Sequence, residues 1–291
     1  MPDGLSFIKM HGCGNDYVFV DCFSQPPPAD PSTLAKRISD RHTSIGSDGL
    51  ILMLPPASAD ADAQMRMFNS DGTEGAMCGN ALRCFAMWLH QSGNAKFRRG
   101  IFGETCRIAM QGRTIEAIIQ MSDLVHRTAI VSIQMGPPVL EPAGPTGKCV
   151  DASAVVLSDV LIQGKAARAI RVSFGNPHAV VFVKDLDRLE FTTAGPAIET
   201  HPQFPDRTNV EFAQIIDKGR ARVRVWERGS GETMACGSGA CAVVVAGIAE
   251  RHFHIDQTVT IEMRGGDLRI MRTDDGVLLQ GPAVETFRGV L

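Results

Sequence analysis

The sequence has few aromatic residues, no large excess of charge of either sign and no long apolar run. Aromatic side chains make up 6% of the 291 residues, and the 29 basic residues nearly balance the 32 acidic ones. The resulting net charge of −3 argues against a nucleic-acid-binding protein, which needs a marked basic excess. The most apolar window, residues 239–249, is too short to cross a bilayer as a helix. We therefore expect a globular protein that binds neither nucleic acid nor a membrane.

The eight cysteines also lack the spacings of a zinc site or of a disulfide scaffold. No CxxC pair occurs, and no histidine lies at ligand spacing from two cysteines. A chain of this length can bury a large core without disulfide bonds. Its N-terminal segment carries Lys9, His11 and Asp16, which is not typical of a signal peptide. We expect a cytoplasmic protein with free thiols and no bound metal ion.

Hydrophobic patterning predicts many strands and two long helices. One helix runs from about residue 81 to 91, before a stop at Ser92-Gly93, and the other from about 239 to 252. The second is apolar on every face, so we predict that it is buried. Prolines at 26–28 and within 137–145 indicate loops or connectors. The predicted strands are Tyr17–Asp21, Leu50–Leu54, Thr114–Met121, Ala129–Met135, Ala179–Val183, Asn209–Ile216, Arg220–Trp226 and Val259–Met263.

Two short motifs recur in the same order in the two halves of the chain. A Gly-Asn pair precedes an apolar run at Asn15 and again at Asn176. A Glu-x-x-x-Cys-Gly segment ends at Gly79 and again at Gly237. Both motifs are separated from their second copies by about 160 residues. We therefore interpret the chain as a duplicated α/β unit that places one cysteine, Cys78 or Cys236, at the start of each predicted helix.

A thiol at a helix N-terminus has a distinctive chemistry. Free N–H groups and the helix dipole stabilise its thiolate, so we expect a lowered pKa for Cys78 and Cys236. The same N–H groups bind a carboxylate, and the neighbouring glycines let a ligand approach the backbone. If the copies face each other across a cleft, a thiolate and a thiol would flank one small molecule. Such a pair can invert a carbon, because one takes a proton and the other returns one.

Three other interpretations stay open at this point. The cysteines could be structural, although polar Gly-Cys-Gly-like loops are a poor environment for inert core thiols. They could form a redox disulfide, or they could bind a metal, for which further ligands are missing.

Six segments resemble the diaminopimelate epimerase family. In order they read KMHGCGNDY (9–17), FNSDGTE (68–74), CGNALRC (78–84), GNPH (175–178), NVEF (209–212) and ERGSGETMACGSGAC (227–241). The likeness extends from Phe7 to about Pro282. It implies an α/β (α+β) fold of two pseudo-symmetric domains, each a β-sheet or open barrel around a central helix, with the active site in the cleft between them. We assign residues 1–128 plus 278–291 to the domain of Cys78, and 129–277 to that of Cys236.

The resemblance also implies an activity. The family interconverts LL- and meso-2,6-diaminopimelate without a cofactor, in lysine and peptidoglycan precursor biosynthesis, commonly as a cytoplasmic homodimer. By position, Cys78 and Cys236 resemble its two catalytic thiols, and His178 and Glu227 resemble residues that tune the thiol pKa values. The positions that resemble its substrate-binding residues are Asn15, Asn69, Gly79, Asn80, Asn176, Asn209, Glu227, Arg228, Gly237 and Ser238.

This chain departs from the family pattern at two places. Some members carry a substrate-contacting Gln in the loop where this chain reads Ser47-Asp48-Gly49, so that contact is in doubt. Ala81 replaces a common Gly after Cys-Gly-Asn. Cys13, Cys22, Cys84, Cys106, Cys149 and Cys241 keep a structural interpretation.

Four alternatives to an epimerase of this family remain, which share its scaffold, its ligand or its paired thiols. Proline and hydroxyproline racemases also use two cysteines, but usually have His at the position of Asn80 and Pro at that of Ala235. A phenazine-type isomerase would not need the cysteines. A two-lobed amino-acid-binding protein would hold the same zwitterion but is usually exported, and a redox protein predicts a Cys78–Cys236 disulfide without turnover.

Overall fold

The computed structural model describes residues 4–75, 77–140 and 154–291. It divides into two compact units, Met1–Gln134 with Gln280–Leu291 (unit 1) and Met135–Leu279 (unit 2). The assigned domains, 1–128 plus 278–291 and 129–277, differ from this division at residues 129–134 and 278–279. Residues 129–134 fall in unit 1 because the strand there pairs with other strands of that unit. Part of the predicted connector 137–145, and Cys149, lie outside the described residues.

Unit 1 contains a closed ring of eight strands. Its elements are β1 (Ser6–Gly12), β2 (Asn15–Asp21), α1 (Pro31–Ser39), β3 (Gly49–Leu54), β4 (Ala63–Asn69), β5 (Glu74–Gly75), α2 (Gly79–Ser92), β6 (Arg98–Gly100), β7 (Gly103–Met110), β8 (Arg113–Asp123), β9 (Thr128–Gln134) and the end of β19 (Gly276–Val290). The order β4-β3-β2-β1-β19-β9-β8-β7 returns to β4 through a parallel β4–β7 pair. This closure leaves few unpaired strand edges.

Helix α2 lies inside this ring. It contacts β1, β2, β7, β8 and β9, and every residue from Gly79 to Leu89 is buried. It ends at Ser92, where Gly93 adopts φ +72° and donates its N–H to Leu89 O, the left-handed cap that glycine favours. The predicted helix and its stop are confirmed, and the helix begins two residues earlier than predicted.

Unit 2 repeats the plan around a second buried helix. Its elements are β10 (Val139–Leu140), β11 (Ala154–Ile162), β12 (Lys165–Ser173), β13 (Pro177–Phe182), α3 (Phe191–Glu199), β14 (Asn209–Asp217), β15 (Arg220–Glu227), β16 (Gly231–Thr233), α4 (Gly237–Ala249), β17 (Thr258–Met263) and β18 (Gly266–Thr273). Helix α4 packs against β12, β13, β14 and β18. Its residues Gly239–Gly247 are buried on all sides, as its uniformly apolar sequence predicted.

The order of strand pairings shows the duplication directly. β2 pairs in parallel with β3 across α1, and β13 pairs in parallel with β14 across α3. Likewise β4–β7 spans α2, and β15–β17 spans α4. Each parallel pair needs such a crossover. The predicted mixed α/β fold with an internal duplication is confirmed.

The sequence patterns missed two short helices. Helix α1 begins after Asp30, whose side chain accepts the Thr33 N–H, and carries Pro31 in its first turn, a standard helix-start signal. Helix α3 has no side-chain cap; it is held by packing, with Glu199 accepting a hydrogen bond from the Trp226 indole at 2.8 Å. The strands that were not predicted are β1, β4, β5, β6, β7, β10, β11, β12, β16, β18 and β19. Within the described ranges, no helix has the length and apolarity to cross a membrane.

Candidate active site

In unit 1, Cys78 is the N-cap of α2. Its backbone is extended (φ −141°, ψ 112°) and its sulfur accepts the Ala81 N–H at 3.5 Å. The half-buried thiol also lies 3.4 Å from Asn15 Oδ1, to which it donates. The expectation that this cysteine opens the helix is confirmed, and it shares one cluster with Asn15.

A chain of polar side chains continues from this contact. Asn80 donates from Nδ2 to Asn15 Oδ1 at 3.1 Å, and Asn80 Oδ1 accepts from Arg83 Nη2 at 2.7 Å. At the other end, Asn15 Nδ2 donates to Asp48 Oδ2 at 2.7 Å. Arg83 is fully buried and also donates from Nε to Pro282 O at 3.1 Å. Four residues therefore form a directed hydrogen-bond chain beside Cys78.

Charged groups surround the acidic end of this chain. Asp48 accepts the Asp16 N–H on Oδ2 at 2.9 Å, and Arg41 Nη2 lies 2.8 Å from its Oδ1 and 2.6 Å from Asp16 Oδ1. Lys9 reaches Asp16 Oδ2 at 2.5 Å. Burial raises the pKa of Asp48, whereas hydrogen bonds from Arg41 and Lys9 outweigh burial and lower the pKa of Asp16.

Asn69 lies at the end of β4 and forms hydrogen bonds within the turn that follows. Its Nδ2 donates to Thr73 Oγ1 at 2.9 Å and its N–H to Thr73 O at 2.8 Å, in the turn that leads to β5. Its predicted part in substrate binding stays a prediction.

In unit 2, Cys236 is the N-cap of α4 and is 8% exposed. Its sulfur lies 3.5 Å from Ser238 Oγ, which accepts a hydrogen bond from Asn176 Nδ2 at 3.2 Å. The repeated Gly-Asn motif thus reaches the start of the helix in this unit as in unit 1. Cys236, Ser238 and Asn176 form one cluster.

The environment of Cys236 differs from what its helix position predicts. Burial raises its pKa well above the ordinary value, and the carboxylates of Glu227 and Glu211 raise it further. Hydrogen bonds from Ser238 and the Gly239 N–H act in the opposite direction but are outweighed. The predicted lowering of the thiol pKa is therefore wrong for Cys236, because desolvation and nearby negative charge disfavour its thiolate.

Glu211 forms a fully buried pair with His178. His178 Nδ1 and Glu211 Oε1 are 2.7 Å apart, and both side chains are completely excluded from solvent. A Cβ on Gly239 would lie 2.5 Å from Glu211 Oε1, so the first turn of α4 packs directly on this carboxylate. Within the described chain, His178 Nε2 and Glu211 Oε2 have no hydrogen-bond partner.

The ends of β14 and β15 bring together the other residues assigned to recognition. Asn209 Oδ1 accepts the Arg228 N–H at 3.0 Å, and its Nδ2 donates to Pro177 O at 2.9 Å. Glu227 Oε1 accepts from Thr233 at 2.6 Å, and Arg228 Nη1 donates to Asp206 O at 3.2 Å.

Sequence reasoning missed three residues of these clusters: Asp48, Arg83 and Glu211. Glu211 had a detectable signal, since it is the one charged residue in the otherwise apolar run from Val210 to Ala213. Asp48 lies in the Ser47-Asp48-Gly49 loop, whose sequence indicated only that a Gln found in some family members is missing. Arg83 gave no signal because an Arg on a helix is usually exposed.

The remaining described cysteines are buried thiols. They are Cys13, Cys22, Cys84, Cys106 and Cys241. Burial raises the pKa of Cys22 to about 11 and those of Cys84 and Cys106 to about 12, which makes them unreactive. Among the described residues, no cluster of three or more His, Cys, Asp or Glu side chains could hold a metal ion.

Comparison with known proteins gives consistent results. A model of the family described as diaminopimelate epimerase matches residues 7–140 and 170–285. Curated relatives of that name from Pelotomaculum thermopropionicum and Moorella thermoacetica are each 44% identical, over 98% of this chain and 98% of the relative.

Solved structures of lower identity share the fold. A Bacillus anthracis phenazine biosynthesis protein of the PhzF family has a TM-score of 0.70 at 15% identity and covers 99% of both chains. A hydroxyproline epimerase from Agrobacterium vitis, with bound trans-4-hydroxy-L-proline, has a TM-score of 0.69 at 14% identity, over 100% of this chain and 93% of its own.

Proposed function

The chain belongs to the diaminopimelate epimerase family, and we propose that Cys78 and Cys236 are the acid and base with which it inverts an α-carbon. The reaction interconverts LL- and meso-2,6-diaminopimelate, so the protein is an isomerase. The observation that carries the residue assignment is the N-cap position of both thiols, one on each buried helix of a duplicated fold.

We refer to the cluster of Cys78, Asn15 and Asn80 in unit 1 and that of Cys236, Ser238 and Asn176 in unit 2 as the two half-sites. The thiolate of one cysteine removes the α-proton, and the thiol of the other delivers a proton to the opposite face, so the reverse reaction exchanges their roles. Negative charge develops on the substrate carboxylate as the proton leaves. Backbone N–H groups at Gly79-Asn80 and Gly237-Ser238 stabilise that charge, as helix N-termini do for anions.

The surroundings of Cys236 support one order of proton transfer. Burial and the carboxylates of Glu227 and Glu211 raise the pKa of this thiol, so we propose that it is the proton donor when catalysis begins with Cys78 as the base. Cys236 becomes a base only after it has given up its proton to the substrate.

Recognition of the rest of the substrate requires groups for both of its ends. Asn15, beside Cys78, is proposed to contact the reacting amino group. Arg228 is proposed to bind the distal carboxylate, because a guanidinium pairs with it in bidentate fashion, and Glu227 the distal ammonium. Asn69, Asn176 and Asn209 supply further hydrogen bonds, and His178 is proposed to tune a thiol pKa. We also propose a cytoplasmic homodimer without a bound cofactor.

The test is isotope exchange in heavy water. Reduced protein is incubated with LL-diaminopimelate in D2O without added cofactor, and deuterium at the α-carbon is followed by NMR and mass spectrometry. We expect deuterium incorporation together with formation of the meso form. Folded, reduced protein that incorporates no deuterium would contradict the proposal.

Two controls separate the alternatives. Proline and hydroxyproline, which lack the distal charges, are expected to exchange much more slowly, and faster exchange of either would favour a proline racemase. Oxidation that joins Cys78 to Cys236 is expected to stop turnover and reduction to restore it, whereas a redox protein would show the disulfide without any exchange. Sedimentation of the same preparation gives the oligomeric state.

A further inference from the structure

The hydrogen-bond chain Arg83–Asn80–Asn15–Asp48 has a fixed direction. A guanidinium can only donate, so the end of the Asn80 amide that faces Arg83 Nη2 at 2.7 Å must be its oxygen. An ionised carboxylate can only accept, so the end of the Asn15 amide that faces Asp48 Oδ2 at 2.7 Å must be its NH2 group. Both amides therefore point the same way, with Asn80 Nδ2 donating to Asn15 Oδ1 at 3.1 Å.

The direction of this chain determines which end of the Asn15 amide lies next to the Cys78 sulfur. The Asn15 end that lies 3.4 Å from the sulfur is the carbonyl oxygen, which accepts a hydrogen bond from a thiol and repels a thiolate. The Ala81 N–H, 3.5 Å from the sulfur, does the reverse. The Cys78 sulfur therefore contacts both an acceptor, which is oriented through Asp48, and a helix N–H donor.

We propose that Asp48 is a positioning residue, which acts through the Asn15 amide to keep a hydrogen-bond acceptor against the Cys78 thiol. The inference rests on the proposed function only in giving Cys78 a role in catalysis. Asp48 is well suited to this task because its Oδ2 also accepts the Asp16 N–H at 2.9 Å, and Arg41 Nη2 holds its Oδ1 at 2.8 Å.

Other charges act on the same cluster and must be kept constant in a test. They are Lys9, Asp16 and Arg41 beyond Asp48, and Arg83 at the opposite end of the chain. The titratable His11, near the end of β1, lies opposite Asp16, and burial lowers its pKa. A variant at position 48 that removes charge alone must therefore be compared with one that removes the charge and the acceptor.

Asp48→Asn and Asp48→Ala form such a pair. Both remove the negative charge, but the amide oxygen that Asp48→Asn introduces can still accept from Asn15 Nδ2 and the Asp16 N–H. The measurement is the pH dependence of Cys78 alkylation in the full-length protein, with the Cys78 peptide quantified by mass spectrometry. It needs no substrate, so it remains informative if the protein does not epimerise diaminopimelate.

We expect the midpoint of Cys78 alkylation to be about 0.5 to 1 pH unit lower in Asp48→Ala than in Asp48→Asn, the size of one net hydrogen bond. In an Asn15→Ser background the two position-48 variants are expected to titrate alike, since the amide through which Asp48 acts is gone. With diaminopimelate, kcat is expected to fall further in Asp48→Ala than in Asp48→Asn.

Equal midpoints for the two variants in the Asn15 protein would overturn the proposal, and so would a difference that persists in Asn15→Ser. If Asp48→Ala does not fold by circular dichroism, Asp48→Ser replaces it, because its hydroxyl is one bond shorter than the carboxylate and leaves Asn15 Nδ2 without that acceptor.

Discussion

The two half-sites have the same helix-cap architecture but differ in the groups that surround the thiol. In unit 1, a half-buried Cys78 contacts the neutral amide of Asn15, and the carboxylates of Asp48 and Asp16 in the same cluster are paired with Arg41 and Lys9. In unit 2, Cys236 is buried and two carboxylates disfavour its ionisation. A duplicated fold thus supplies two equivalent helix ends, while the neighbouring strands and loops supply different groups around each thiol.

This difference also explains one difference in sequence. Three residues after each cysteine stands Ala81 in unit 1 and Gly239 in unit 2. Ala81 is accommodated in full burial, whereas a Cβ at Gly239 would meet Glu211. The buried carboxylate of unit 2 therefore requires glycine in the first turn of its helix.

The largest expected effect is the loss of either thiol. If the half-sites share one reaction as its base and its acid, Cys78→Ala and Cys236→Ala should each lower kcat by at least about 1000-fold, since each removes an obligatory proton carrier. The assay follows meso-diaminopimelate formation. Cys22→Ala, which removes a buried thiol outside both clusters, is the control and should retain most activity. An active single-cysteine variant would show that the half-sites do not act together.

The second prediction concerns Gly239. Gly239→Ala should lower the free energy of unfolding by about 1 to 3 kcal/mol, because the added methyl group would lie 2.5 Å from Glu211 Oε1. Ala81→Gly is the matched change in unit 1 and should cost about 1 kcal/mol or less, through helix propensity. Urea unfolding of both variants checks the difference. Adding Glu211→Ala to Gly239→Ala should relieve the steric part of the cost, and a fully additive double variant would argue against the contact.

Features of the half-sites could be predicted from the sequence where they depend on residues that are neighbours in the chain. Features that depend on residues far apart in the chain could not. Cys78 and Cys236 were recognised because the helix start and its glycines are local features. The raised pKa of Cys236 was not predicted, because it depends on burial of the thiol and on the carboxylates of Glu227 and Glu211. Glu211 comes close to the start of α4 only when that helix packs on β14. Closure of the unit 1 ring by the β4–β7 pair joins distant segments and leaves no local signal. Helix α1, in contrast, could have been predicted from Asp30-Pro31.

The third prediction concerns the negative charge of Glu211 near the Cys236 thiol. Glu211→Gln keeps an oxygen that can accept from His178 Nδ1 but removes a negative charge near Cys236. Because that charge raises the pKa of the thiol, the variant should lower the midpoint of Cys236 alkylation by about one pH unit. Glu262→Gln, whose ion pair with Arg220 is solvent-exposed, is the charge control and should leave it in place. An unchanged midpoint in Glu211→Gln would mean that the Glu211 charge does not act on Cys236 and that burial and Glu227 raise the pKa of this thiol.

The smallest expected effect tests the exposed ion pairs of unit 1. Arg41 is 54% exposed and lies 2.6 Å from Asp16, so solvent screening limits Arg41→Gln to about 0.5 kcal/mol of destabilisation at pH 7. The pKa of Asp16 is lowered in the folded protein, so its ionised form stabilises the fold above the unfolded value of about 3.9. That contribution is lost as the pH falls through the folded pKa. The difference between wild type and Arg41→Gln in urea unfolding should therefore shrink below about pH 4. A difference that grows on acidification would mean that Arg41 stabilises unit 1 by packing rather than by charge.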